Sequence, residues 1–299
     1  MFWHMKTSIS HLPKNKQSEL KKIVSTICDL AKVEMIILFG SYARGAYREA
    51  QDVIPNKPGF RRISDYDILV ITEKKNQSLW HKISSKCQKL KLSAPVKKVE
   101  AHDIEMLNIK LAEGQYFFSD IKKEGIMLYD SKRFTLAKKR KLKPQEKRRI
   151  AKDYFARWFK TAEMFFEDFN DCLRKAKNDE EYLRKASFEL HQAAEHAYKT
   201  LYLVFQDYCP HDHFLKYLAP DVNHLHPDLK KLFPQKTREQ KARFELLDEA
   251  YIGGRYDADF YMAKEDLEIL TKDVKKLLAI TEKICQQKLD NLTLTVKTA

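Results

Sequence analysis

Glycine is scarce: the 299 residues hold only seven. That is too few for an all-β chain built on tight turns, which draw on glycine wherever φ must be positive. The five cysteines (Cys28, Cys87, Cys172, Cys209 and Cys285) show no CxxC spacing. This excludes a disulfide framework and a zinc ribbon and fits a reducing compartment. No apolar run approaches the length of a membrane span. The opening residues, MFWHMKTSIS, lack the charged segment and long apolar core of a secretory signal. The expectation is a cytoplasmic protein without a membrane partner.

Hydrophobic residues make up 43 % of the chain, enough for a packed core, and the length suggests two domains. The net charge of +14 is uneven: residues 1–150 carry 32 Lys and Arg against 16 Asp and Glu, net +16, and the remainder is net −2. Residues 131–149, SKRFTLAKKRKLKPQEKRR, hold ten basic residues and one Glu. Such a run attracts polyanions and is a candidate RNA contact, the plainer reading being a solvated linker leading into a helix.

Periodicity divides the chain. In the first half, apolar residues three and four apart over 15–32 predict an amphipathic helix. MIILFG and YDILVIT read as buried strands, and residues 77–91 as a helix. PVKKVEAHD is a third strand, IEMLNIKLAEG a helix stopped by Gly114, and GIMLYD a last strand. The second half is nearly all helical. Phe155, Trp158, Phe159, Ala162, Phe165, Phe166 and Phe169 fall on one face, and further long helices follow over 181–208, 237–252 and 264–288. Thr237 with Gln240 reads as a capping box. The fold class expected is α+β: a small α/β domain with a mixed sheet over 1–140, then a four-helix bundle over 141–299.

The first half carries the sharper chemistry. A strand ending in Gly40-Ser41 and turning into a helix presents free N–H groups and a hydroxyl, a cradle for phosphate. Asp65 and Asp67, one residue apart in an apolar strand, share a face and repel each other. A hard divalent cation such as Mg²⁺ removes that repulsion. The alternative is a strand whose start is simply solvated. Metal-assisted nucleotidyl transfer needs both elements.

Phe39-Gly40-Ser41-Tyr42-Ala43-Arg44-Gly45 followed by Ser64-Asp65-Tyr66-Asp67 resembles the signature of the minimal nucleotidyltransferases, in the DNA polymerase β-like superfamily. The resemblance covers roughly residues 15–130. It implies Mg²⁺-dependent transfer of a nucleoside monophosphate, usually AMP from ATP, to a hydroxyl. Gly40 and Ser41 would hold the triphosphate and Asp65 and Asp67 the metal, with Arg44 at a phosphate or in a surface ion pair. The family's third carboxylate would be Glu100, with Lys98, Glu100 and His102 on one strand face; the alternative is a solvated strand residue. The 23 residues from Tyr42 to Ser64 exceed the family's usual spacing. With Pro55, Pro58 and Gly59 they read as a hairpin or flap.

In the second half, SFELHQAAEHAYKTLYLVF and ELLDEAYIGGRYDADF resemble the HEPN helical bundles, over about residues 147–288. The combined layout is similar to kanamycin nucleotidyltransferase, whose helical domain supplies a carboxylate base and helps to bind the acceptor. Glu195 is the residue the resemblance puts in that role. Some HEPN domains are metal-independent ribonucleases with an Arg-x4-6-His motif, which Arg184 and His191 formally match. That leaves alternatives: a ribonuclease or toxin–antitoxin-like module regulated by the first domain, or a nucleotide sensor without turnover. The acceptor stays open between a small molecule, a protein and RNA, and the helical domain is a candidate homodimer surface. His211-x-His213 and His224-x-His226 read as loop residues rather than a metal site.

Overall fold

The computed structural model describes residues 5–52, 63–74, 77–96 and 99–297. The chain forms two compact units, Met1–Lys141 and Leu142–Ala299. Among the described residues no helix is long and apolar enough to cross a membrane.

The first unit is a four-stranded mixed sheet with helices on both faces. Its elements are α1 (Lys14–Leu30), β1 (Met35–Phe39), α2 (Gly40–Arg44), β2 (Asp67–Thr72), α3 (Gln77–Gln88), β3 (Val99–Asp103), α4 (Ile104–Glu113), α5 (Tyr116–Glu124) and β4 (Ile126–Asp130). The strand order is β3-β2-β1-β4; β1 runs antiparallel to β2 and β4, and β2 parallel to β3. Alternation assigns the faces. Ile36, Leu38, Ile68, Val70 and Val99 pack against Leu20, Ile23 and Ile27 of α1 and Ile83 of α3. Met35, Ile37, Leu69 and Ile71 pack against Ile104, Leu107 and Leu111 of α4 and Ile121 of α5. Both faces of β2 are therefore covered, which is why its sequence is continuously apolar. Each such side chain contributes about 1.5–3 kcal/mol of burial.

Sequence signals placed most boundaries. Asp103 caps α4 by accepting from Met106 N at 2.7 Å, and Gly114 ends it at φ +71. Helix α5 carries no comparable start signal, since Gln115 makes no side-chain cap, and periodicity passed over it. The basic stretch is an ordered strap where it crosses this unit: Asn108 bonds Thr135 O and Ala137 N, Lys122 donates to Ala137 O, and Arg140 N reaches Ala112 O. The long excursion after α2 is tied at its neck. Arg48 N donates to Ser64 Oγ and Ser64 N to Arg48 O, both at 2.9 Å. Residues 53–62, where the hairpin or flap was expected, lie outside the described residues.

The second unit is helical: α6 (Pro144–Tyr154), a π-helical turn over Phe155–Phe159, α7 (Lys160–Lys175), α8 (Glu181–Gln206), α9 (Leu215–Val222), α10 (Arg238–Tyr256) and α11 (Lys264–Lys297). Helix α8 is the axis, buried on almost every side, with α7, α10 and α11 around it. The expected capping box opens α10, with Gln240 N donating to Thr237 Oγ1 at 3.2 Å. Gly254 lets α10 approach α8, because a Cβ there would press on Phe188 and the Arg184 carbonyl. The aromatic stripe of 155–169 packs on the core as its period implies, with Ala162 and Phe169 buried in it and Phe155, Phe165 and Phe166 half-buried against it. A π turn interrupts it, across which the Phe155 and Phe159 rings stack at 5.1 Å.

One buried carboxylate locks the far end of the sheet. Glu34 is fully buried, accepts from Arg133 at 2.7 Å and from Ser131 Oγ at 2.6 Å, and its N–H bonds Ile71 O. Removing the guanidinium leaves that carboxylate underpaired. Arg133→Ala is expected to destabilise the first unit by about 2 kcal/mol, read as earlier hydrogen exchange in β1, β2 and β4 than in wild type. Unchanged exchange there would mean the pair is ornamental.

Candidate nucleotide site and a buried polar cluster

The sheet brings the two halves of the GSYARG and SDYD motifs together. Phe39, the last residue of β1, pairs with Asp67, the first of β2. The chain then turns at Gly40 with φ +71. A Cβ at Gly40 would fall on the Asp67 carboxylate, so only glycine allows this approach. The first backbone N–H groups of α2 have no partner within the helix itself. Helix α2 is only five residues long, and Gly45 ends it at φ +75. The cradle therefore rests on the turn's N–H groups and the Ser41 hydroxyl, with little help from a helix dipole.

Asp65 lies two residues before Asp67, outside the strand and half-buried. Between them Tyr66 points into the core, 1 % exposed, as alternation requires. Glu100 pairs with Leu69 across the parallel β2–β3 ladder. It therefore shares Asp67's face, one pleat deeper and one strand over, a diagonal of about 7–8 Å. Among the described residues no three His, Cys, Asp or Glu side chains gather closely enough to hold a metal ion. The structure thus brings Gly40 and Asp67 into contact but does not draw Glu100 into a cluster with the two aspartates. Arg44 is exposed and ion-paired with Glu124 at 3.5 Å, the surface pair of the two roles open to it. A cavity of about 680 Å³ opens beside the other end of α2, lined by Lys6, His11, Arg44, Tyr47, Glu49 and Asp52. Neither Gly40, Asp65 nor Asp67 lines it.

In the second unit Glu195 is buried at 2 % exposure. It accepts from Lys199 and His213 Nδ1, both at 2.9 Å, and from Gln192 at 2.8 Å. Burial alone would raise its pKa, but the His213 hydrogen bond and the Lys199 charge outweigh it and hold the carboxyl down at about 2. A carboxylate so fully paired is a poor proton acceptor, which argues against the role of base expected for it. His191, seven residues from Arg184, lies about 10 Å along the same helix face. Its ring is completely buried, Nε2 has no hydrogen-bond partner, and burial depresses its pKa to about 4. Arg184 is bound to Gly254 O and Glu181. In this packing His191 does not reach a phosphodiester, so the ribonuclease reading gains nothing from the geometry. His213 is the residue that sequence reasoning undervalued. It anchors the proline-rich connection to α8 and stacks on Tyr251 at 4.4 Å. Only its pairing with a buried glutamate, invisible in sequence, distinguishes it from a loop histidine.

These shifts give the second unit an acid limit. The folded pKa of His191 lies below its unfolded value, so protons favour the unfolded chain between about pH 6.5 and 4. Glu195 extends the loss from about 4.5 down to about 2. Stability should be full above pH 6.5 and fall by a few kcal/mol on acidification to pH 4. His191→Gln should flatten that fall in urea titrations at pH 7, 5.5 and 4; an unaltered slope would assign the loss to other groups.

Comparison with known proteins agrees with this division. Residues 21–134 match the family model of the polymerase beta nucleotidyltransferase domain, and residues 155–284 match that of the HEPN domain. No curated protein matches the chain. A domain with the glycine-serine turn and aspartate pair, then a helical bundle built on one buried axis, are the two structures those matches cover. The chain is a polymerase beta-type nucleotidyltransferase domain followed by a HEPN domain.

Proposed function

We propose that the protein is a magnesium-dependent nucleotidyltransferase that moves a nucleoside monophosphate, AMP from ATP, onto a hydroxyl acceptor. One observation carries this reading: the Asp67 carboxylate rests on the Cα of Gly40. A group suited to a hard cation thereby lies against a turn suited to phosphate. The nearby donors are carboxylate oxygens, the ligands Mg²⁺ prefers, and a cation held by few protein ligands takes its remainder from water and substrate phosphate. Asp65 and Asp67 are the residues to hold it, and Glu100, on the same face, is the third candidate.

Bound there, the cation would neutralise phosphate charge and favour attack at the α-phosphorus. The protein's own share is positioning. The N–H groups of the Gly40–Ser41 turn and the Ser41 hydroxyl bind and orient the triphosphate. The aspartates fix the α-phosphate end relative to that turn. In the net reaction the acceptor oxygen bonds to the α-phosphorus, the bond to the departing pyrophosphate breaks, and the hydroxyl proton is lost. Holding the reacting groups in line is itself a large part of the acceleration available to such a site.

The reading is tested with ATP labelled at the α-phosphate and by calorimetry with Mg·ATP. Wild type should bind Mg·ATP, and Asp67→Asn and Asp65→Asn should each lower label transfer by at least about 100-fold. Absence of nucleotide binding by wild type, or transfer by both variants at the wild-type rate, would refute it.

A further inference from the structure

Beneath the nucleotide site runs a polar chain that no part of the proposed reaction uses, anchored on the buried Lys16 and Tyr66, with Glu19 and Glu49 half-buried and Ser93 exposed. It starts on α1, where Lys16 and Glu19, three residues apart, share a face. Lys16 is 1 % exposed. Its Nζ lies 2.7 Å from Glu49 Oε1 and 2.6 Å from Ser93 Oγ, and 5.6 Å from the Tyr42 ring centre. Glu19 accepts from Ser93 N at 2.6 Å, from Ser93 Oγ at 3.0 Å and from the Tyr66 hydroxyl at 2.8 Å. The chain therefore reads Glu49, Lys16, Ser93, Glu19, Tyr66.

Both ends attach to the site. Tyr66 is the residue between Asp65 and Asp67. Glu49 follows Arg48, whose backbone is tied to Ser64, the residue before Asp65. The third connection is aromatic. Tyr42, directly after Ser41, lies 4.4 Å from Tyr66 and 4.3 Å from Tyr47 between ring centres. The phosphate segment and the aspartate segment thus rest on one tyrosine stack, and α1 holds that stack from below.

A purely stabilising role does not account for this. The buried Lys16 ammonium loses hydration that its pairing with the half-buried Glu49 offsets only in part, and apolar packing of similar volume would do as well. What such a network supplies is a defined geometry, since every hydrogen bond restricts the direction of its partner. Here the defined quantity is the placement of residues 65–67 relative to Ser41.

We propose that Glu19 and Lys16 of α1 are positioning residues for the nucleotide site, acting through Tyr66 and Glu49 to set where the two aspartates stand relative to the Gly40–Ser41 turn. This rests on the nucleotidyltransferase reading of that turn and those aspartates. Neither α1 residue touches nucleotide or metal in this scheme. They do for the aspartates what outer partners do for metal ligands generally, where loss of a partner weakens metal binding by about 10–100-fold.

The test uses the full chain and calorimetric titration with ATP over a range of Mg²⁺ concentrations. Tyr66→Phe, which removes one oxygen, and Glu19→Gln should each raise the Mg²⁺ concentration needed for half-maximal ATP binding by about 10-fold, the lower end for such partners. Lys16→Met should do so by a smaller factor, since it stands two links beyond Glu19 in the chain to Tyr66. Ile27→Val, a core change on α1 outside the network, serves as the structural control. It should lower the melting temperature without moving the Mg²⁺ midpoint. Network variants with a wild-type midpoint would overturn the proposal, as would a control that shifts it equally. Failure of wild type to bind Mg·ATP at all would remove the nucleotide site itself and the positioning role with it.

Discussion

The first unit is organised around a contact that leaves no room for a side chain. Asp67 opens β2 opposite Phe39, and its carboxylate lies over the Cα of the next residue, Gly40. A carboxylate at the head of an apolar strand is costly unless something polar faces it. The left-handed turn at Gly40 leaves the space a side chain would fill, and the carboxylate occupies it. The register of β1 and β2 follows from this contact as much as from the apolar residues below it. A slip by one residue would move the carboxylate to the face packed on α1 and α3. The sheet, the helices that cover it and the strap along α4 and α5 together hold two short segments at one spacing.

How much of this was legible depends on whether a signal was local. The strands containing MIILF and DILVIT, the Asp103 and Gly114 ends of α4, and the Thr237–Gln240 box of α10 all appear in sequence because each is set by neighbouring residues. The pairing of Gly40-Ser41 with Asp67 was readable through the motif. Helix α5 was not, since its start lacks a side-chain cap. Glu100 was readable as a strand residue, but its depth relative to Asp67 is a matter of register between strands, which no single strand encodes. The network through Lys16 and Ser93 joins residues 77 apart in the chain and has no local trace.

The second unit teaches a related lesson about charge. Glu195 stands in a stretch that, read linearly, offers a polar stripe of His191, Glu195 and Tyr198. In the bundle that stripe is interior: Lys199, His213 and Gln192 saturate the carboxylate, and the imidazole is kept neutral by burial. Polar residues at helical spacing announce a shared face, but whether that face meets solvent or a neighbouring helix is decided by what packs on it. Here α10, carrying Tyr251 and Arg255, and the connection bearing His213 close over it.

The pair of hydrogen bonds between Arg48 and Ser64 has a consequence beyond local order. A segment whose two ends are stapled to each other behaves as a cassette. Its length enters the stability of the domain only through the slow logarithmic cost of closing a loop. Beyond Glu49, which pairs with Lys16, the number of residues between the staples can therefore change without re-registering β1 against β2. The domain thus has a frame that fixes the distance from Ser41 to Asp67 and, between the staples, a segment whose length that frame does not constrain.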